Sequence, residues 1–178
     1  MPVRGKVAKR FGNDINTDYI IPAYLLQESW DKQYFADHAF EGYDPAFGPD
    51  CRANKESIVV AANNFGCGSS REQAVYAIKY NNVVAVVAQS FPDIFFRNCL
   101  NNGLLPIQVA DTSKISVGDE LLIDLDSRKL RDVTTKVDHQ IVATDSAIEQ
   151  MKRGGSLGFV RERLRQMLKA TPARAPSR

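Results

Sequence analysis

A chain of 178 residues, 44% hydrophobic and 25% charged, carries enough apolar mass for one domain with its own core. Its formal net charge of +2 is too small to make nucleic acid the main partner, and no apolar run is long enough to span a bilayer. The residues after Met1 lead into no secretory apolar segment, so the cytoplasm is the expected compartment.

Residues 5–11 read as an early strand, followed by a loop around Asp18. Between residues 21 and 54 no strong period appears. Leu25, Leu26, Trp30, Tyr34, Phe35 and Phe40 fit one or two short amphipathic helices, with Trp30 and Tyr34 as packing residues. Residues 40–54, holding Gly42, Pro45, Gly48 and Pro49, are expected to be loop. Residues 58–62 form a buried strand that runs into a glycine loop and then a helix over 73–80. The β-branched run 83–88 is a second buried strand. A helix over 93–100 and a short strand over 105–109 come next. A turn at 117–120 precedes a strand at 121–125, a hairpin turn lies at 126–129, and 133–137 extend a small sheet. A helix over 146–153 closes at Gly154 and Gly155. A final helix is expected over 158–168, with a disordered tail from Thr171, so residues 1–170 are expected to form a single domain. The strand–helix–strand unit over 58–88 predicts a parallel crossover, and the later short strands predict antiparallel additions. The fold class is α/β with mixed parallel and antiparallel strands.

The three cysteines, Cys51, Cys67 and Cys99, stand far apart with no Cys-x-x-Cys pair. A metal or cluster site built by this chain alone is therefore not expected, and the odd count argues against a disulfide framework. His38 and His139 have no second ligand at metal spacing and read as structural or exposed.

The glycine loop is the chemically suggestive segment. Asn63-Asn64-Phe65-Gly66-Cys67-Gly68-Ser69-Ser70-Arg71-Glu72-Gln73-Ala74 links a buried strand to a helix start. Backbone N–H groups and the positive end of a helix dipole then point at one spot, with hydroxyls and a guanidinium beside it, as an anionic small molecule requires. A plainer reading is open as well: Ser69 and Glu72 form Ser-x-x-Glu, a capping box, and the glycines serve backbone geometry only. The loop lacks the Gly-Lys-Ser/Thr of a P-loop and the spacing of a dinucleotide fingerprint.

Asn64-Phe65-Gly66-Cys67-Gly68-Ser69-Ser70-Arg71-Glu72 resembles the signature of the aconitase-type swivel domain, in particular that of 3-isopropylmalate dehydratase small subunits. Phe11-Gly12-Asn13-Asp14-Ile15-Asn16-Thr17-Asp18-Tyr19-Ile20-Ile21-Pro22 is similar to that family's N-terminal block. Ser90-Phe91 through Phe95-Phe96-Arg97-Asn98 to Asn102-Gly103-Leu104-Leu105-Pro106 is similar to its third block. The three occur in the family's order over about residues 3–165. Gln73 stands where the family commonly has histidine, and Tyr19 where histidine or glutamine is frequent.

The resemblance implies a swivelling β/β/α domain and a hydro-lyase of leucine biosynthesis that interconverts 2- and 3-isopropylmalate by dehydration and rehydration. It implies Ser69 as the base, acting as an alkoxide, and Arg71 as a carboxylate clamp. Ser70 would bind substrate or loop, and Asp18 would stand at the site, as an orienting group or as a plain turn aspartate. It implies a separate large subunit bearing a 4Fe-4S cluster, with no cofactor bound by this chain. Leu26 stands where homoaconitase-like members often have arginine, which suits an alkyl substituent better than a further carboxylate. Citramalate, dimethylmalate or homoaconitate as substrate, or a non-catalytic anion-binding module of the same fold, are the alternatives.

Overall fold

A computed structural model describes residues 2–155. The helix expected over 158–168 and the tail from Thr171 lie outside the described residues.

Ser57–Val60 (β2) and Val83–Ala88 (β3) are nearly continuous apolar runs because both of their faces are covered. Val59 and Val86 point into one hydrophobic cluster, while Ile58, Val60, Ala85 and Val87 point into the other, as the two-residue strand period requires. These strands belong to a seven-stranded sheet. The remaining strands are β1 (Val3–Arg10), β4 (Leu105–Gln108), β5 (Glu120–Asp124), β6 (Lys129–Asp132) and β7 (Asp138–Gln140), in the spatial order β4-β3-β2-β1-β5-β6-β7. The β1–β2, β2–β3 and β3–β4 pairings are parallel, and the β1–β5, β5–β6 and β6–β7 pairings are antiparallel. The expected parallel crossover and the antiparallel additions are thus both present, and β1 is the seam between them.

Six α-helices occur among the described residues: α1 (Thr17–Ile20), α2 (Lys32–Asp37), α3 (Phe47–Arg52), α4 (Glu72–Lys79), α5 (Asp93–Asn102) and α6 (Asp145–Lys152). A 3-10 helix covers Ala23–Gln27. The first cluster, which backs the glycine loop, is rich in phenylalanine: Phe11, Phe35, Phe40, Phe47, Phe65 and Phe95.

Four expectations fail, each for a local reason. The Asp18 loop is instead the one-turn helix α1, because the Asn16 side chain caps it by accepting from the Asp18 N–H at 2.9 Å. Residues 47–52 are helical although glycine and proline suggested loop. Pro49 lies in the first turn, where its missing N–H breaks no helical bond, and Phe47 and Cys51 bury one face. Residues 133–137 do not extend the sheet as a strand. The Asp132 carboxylate accepts from the N–H groups of Thr134 and Thr135 at 2.9 and 3.0 Å, which forces a turn before β7. Trp30 is 90% exposed rather than packed, whereas Tyr34 is half-buried against the first cluster.

Candidate active site

Where β1 and β2 end, their continuations stay side by side. The Asp14 N–H donates to the Asn63 carbonyl at 2.9 Å, and the Gly66 and Cys67 N–H groups donate to the Ile15 carbonyl at 2.7 and 3.2 Å. The Thr17 N–H donates to the Cys67 carbonyl at 2.7 Å. Asn64 Nδ2 adds a side-chain bond to Asp14 Oδ1 at 2.7 Å. The N-terminal block and the glycine loop, some fifty residues apart in the chain, are therefore one hydrogen-bonded unit.

Two glycines make the approach possible. Gly66 has φ of +85°, and a Cβ there would run into the Phe95 ring. Gly68 has φ of +99°, and a Cβ there would meet the side-chain amide of Asn16. Both the backbone conformation and the space exclude a larger residue.

Ser69 is held by a residue to which the sequence assigned no role. The fully buried Thr17 accepts the Ser69 N–H on Oγ1 at 3.0 Å, and the same Oγ1 lies 3.0 Å from Ser69 Oγ. The capping box of the plainer reading is absent. The N-cap of α4 is Arg71, with extended backbone (φ −70°, ψ 122°) and no side-chain cap bond. Ser69 lies two residues upstream and faces Thr17, and the Glu72 carboxylate accepts from the Tyr76 hydroxyl at 3.1 Å. The first N–H groups of α4 are thus left without a side-chain cap, the condition under which a helix start takes an anion.

Asp18 and Arg71 do come together: Arg71 Nη1 is ion-paired with Asp18 Oδ1 and lies 3.5 Å from the Ile21 carbonyl. Arg71 is mostly covered, its side chain 21% exposed, while Asp18 is half exposed at 51%. The guanidinium is therefore aimed before any ligand arrives. The Ser70 side is exposed, and its carbonyl accepts from Asn98 Nδ2 at 2.9 Å, which ties the loop to α5. Leu26 does not join this hydrogen-bonded group. It is half-buried in the 3-10 helix and packs on the first cluster, five residues beyond the Ile21 carbonyl that faces Arg71. Gln73 is half-buried in the first turn of α4. Sequence reasoning passed over Thr17, Asn16 and Asn98. All three lie inside these blocks, but Thr17 and Asn98 bind Ser69 and Ser70, 52 and 28 residues away, and Asn16 acts through a local cap on the Asp18 N–H and its approach to Gly68, so no linear spacing marks them.

The thiols are poorly suited to metal binding. Burial pushes Cys51 up to about 12, drives Cys99 well above the ordinary thiol range, and raises Cys67 as well. Among the described residues no group of three or more His, Cys, Asp or Glu side chains is arranged to hold a metal ion. A cluster does not fit the described residues. His38 Nδ1 lies 2.6 Å from Glu41 Oε2, a local pairing that helps hold the Glu41 carboxyl below its usual range.

Residues 2–112 match the aconitase C-terminal domain family. The chain is 40% identical over 165 residues to the methanogen homoaconitase small subunit of Methanocaldococcus jannaschii, covering 92% of this chain and 94% of that one. It is 39% identical over 165 residues to the 3-isopropylmalate dehydratase small subunit of Nautilia profundicola, covering 92% and 97%. A crystal structure of a 3-isopropylmalate dehydratase from M. jannaschii superimposes with a TM-score of 0.82 at 36% identity, over 96% of this chain and 100% of that one. The swivel-domain fold implied by the three motif blocks is the fold observed, and the chain belongs to the aconitase C-terminal domain family as the small subunit of an aconitase-type dehydratase.

Proposed function

We propose that this chain supplies the base and part of the carboxylate clamp of a hydro-lyase that interconverts 2- and 3-isopropylmalate, in complex with a separate large subunit. The observation that carries the reading is convergence: the Ser69 hydroxyl, the uncapped start of α4 and the Arg71 guanidinium held by Asp18 meet where two loops are zipped together. Ser69 Oγ, as an alkoxide, takes a proton from the carbon next to a carboxylate. The C–H electron pair becomes the new double bond, and hydroxide leaves the adjacent carbon. Re-addition with the opposite placement gives the isomer. A free serine hydroxyl is far too weak an acid for this role, and N–H groups of a helix start together with an adjacent cation lower the cost of the negative charge. Arg71 holds a substrate carboxylate through paired N–H bonds, and Ser70 offers a further hydroxyl. The 4Fe-4S cluster that we assign to the large subunit would supply Lewis acidity at the departing oxygen.

Residues 1–170 act in this reading as one domain, which the single sheet running from Val3 to Gln140 supports. No described helix is long and apolar enough to cross a membrane, and we place the protein in the cytoplasm with its small di-acid substrate.

Relatives with two different names, homoaconitase and 3-isopropylmalate dehydratase, are almost equally similar to this chain, so the substrate choice rests on Leu26. An alkyl group suits that position, and a further carboxylate would meet no charge there. Leu26→Arg is expected to raise the kcat/KM ratio of homoaconitate over isopropylmalate by about tenfold or more. A ratio unchanged in that variant would remove Leu26 from specificity. Arg71→Lys is expected to raise KM by about 10- to 100-fold, because the bidentate hold on a carboxylate becomes a single contact. The same substitution with wild-type KM would show that the clamp lies elsewhere.

The direct test is co-expression with a candidate large subunit, anaerobic cluster reconstitution and optical detection of the unsaturated intermediate from 2- or 3-isopropylmalate. Citraconate and homoaconitate are run in parallel. Turnover of isopropylmalate supports the reading, and turnover of another hydroxy acid alone replaces the substrate. No turnover by a stable, cluster-loaded complex would assign the chain to a non-catalytic anion-binding role.

A further inference from the structure

We propose that Thr17 is a positioning residue for the base: its hydroxyl fixes Ser69 Oγ and donates a hydrogen bond to that oxygen while it carries negative charge. The proposal rests on the assignment of Ser69 as the base.

The argument is one of donors and acceptors. A threonine hydroxyl has one proton and two lone pairs. One lone pair of Thr17 Oγ1 is taken by the Ser69 N–H at 3.0 Å. The same oxygen therefore grips both the backbone and the side chain of Ser69, and the two contacts together restrain the serine rotamer. The Thr17 proton has two acceptors within reach, Ser69 Oγ at 3.0 Å and Asn16 Oδ1 at 3.4 Å. Asn16 Oδ1 already accepts the Asp18 N–H at 2.9 Å as the cap of α1. An alkoxide can only accept, so when Ser69 is deprotonated the proton between the two hydroxyls must be that of Thr17. The shorter contact is the one the charged state needs.

Proton accounting closes without a further reagent. The substrate C–H proton passes to Ser69 Oγ, its electron pair forms the double bond, and hydroxide leaves the neighbouring carbon. Thr17 keeps its own proton throughout. Once Ser69 is a neutral hydroxyl the bond can reverse, with Ser69 donating to Thr17 Oγ1 and the Thr17 proton turning to Asn16 Oδ1. Thr17 is fully buried, so its dipole acts where little water competes with it. Ser70, one residue on, is exposed and anchored through its carbonyl, which sets the two adjacent serines apart.

The test uses the full-length chain in the reconstituted complex with its large subunit. Removing one donor to a developing oxyanion typically costs about 10²- to 10³-fold in kcat. Thr17→Val, which keeps the shape and loses the hydroxyl, is expected to show that loss with KM within about threefold of wild type. It should also enlarge the isotope effect for substrate deuterated at the reacting carbon, because C–H cleavage becomes more limiting. Thr17→Ser, which keeps the hydroxyl and loses the methyl, is expected to retain kcat within about fivefold. A purely structural role predicts the reverse order of these two variants and would overturn the proposal, as would Thr17→Val with wild-type kcat. Should Thr17→Val fail to assemble, Thr17→Ser against Thr17→Ala isolates the oxygen, since both lack the methyl. Equal kcat in that pair overturns the proposal, and a difference of about 10²-fold at common KM supports it. Ser69→Ala, measured alongside, keeps the two claims apart. If Ser69→Ala is inactive and Thr17→Val is not, only the role of Thr17 is lost. If Ser69→Ala is fully active, the base assignment itself is lost.

Discussion

Ser69→Ala in the reconstituted complex is expected to lower kcat by about 10²- to 10⁴-fold, the range for loss of a positioned general base, with little change in KM. The separation follows from the geometry. The ion-paired Arg71 guanidinium and the uncapped start of α4 do not depend on the serine oxygen, so the groups that would hold substrate stay in place. The fold should tolerate the change as well. Thr17 Oγ1 still accepts the backbone N–H of residue 69, and its proton still finds Asn16 Oδ1, so no buried group loses every partner. The stability cost is then about 1 kcal/mol or less. Steady-state kinetics and a thermal melt of the isolated chain check both halves. A variant that keeps wild-type kcat would remove Ser69 from the chemistry. One that fails to fold would show that the hydroxyl is needed for structure instead.

The second large effect is on stability. Gly66→Ala is expected to destabilise the chain by about 2–5 kcal/mol, combining the penalty for a left-handed L-residue with overpacking. The φ of +85° carries the first part. The second arises because the new Cβ falls on the Phe95 ring, which is 2% exposed and cannot swing into solvent. That ring is wedged between Phe65, edge-on with centroids 5.6 Å apart, and Phe91, stacked at 6.4 Å. Relief must therefore come from moving α5 or the loop, and either motion displaces Ser69 relative to Thr17. Activity should fall together with stability. Urea denaturation of the isolated chain measures the first, and pairing Gly66→Ala with Phe95→Leu should recover the steric part only. Gly66→Ala with an unchanged unfolding midpoint would show that loop and ring are not packed as described.

Much of the parallel half of the sheet could be read from the chain. The runs at 58–60 and 83–88 are apolar without interruption because both faces are covered, and short β-branched runs of that kind have few alternatives. Helices α4, α5 and α6 were anticipated to within two residues, since each presents a buried face at helical spacing. The short elements were not. Whether residues 17–20 form a turn of helix depends on one Asn16 side chain, and whether 133–137 are strand or turn depends on one Asp132 carboxylate. A single hydrogen bond of that kind leaves no periodic trace. Helix α3 was hidden behind Gly48 and Pro49, because composition does not say that a proline falls in a first turn.

The sequence by itself determined the family, the chemistry available and the residues worth testing. Three ordered motif blocks mark the family, two of them carry Ser69, Ser70, Arg71 and Asp18, and residue types at given spacings are local properties of the chain. Only the tertiary structure decided how those residues are used. It turned Ser69 away from the capping box and toward Thr17, left the start of α4 without a side-chain cap, paired Asp18 with Arg71 and set Leu26 against the core. For the polar groups the physical reason is the same. A hydroxyl or a carboxylate has several partners of nearly equal merit along its own segment, and the winner is the one that folding brings close from a distant segment.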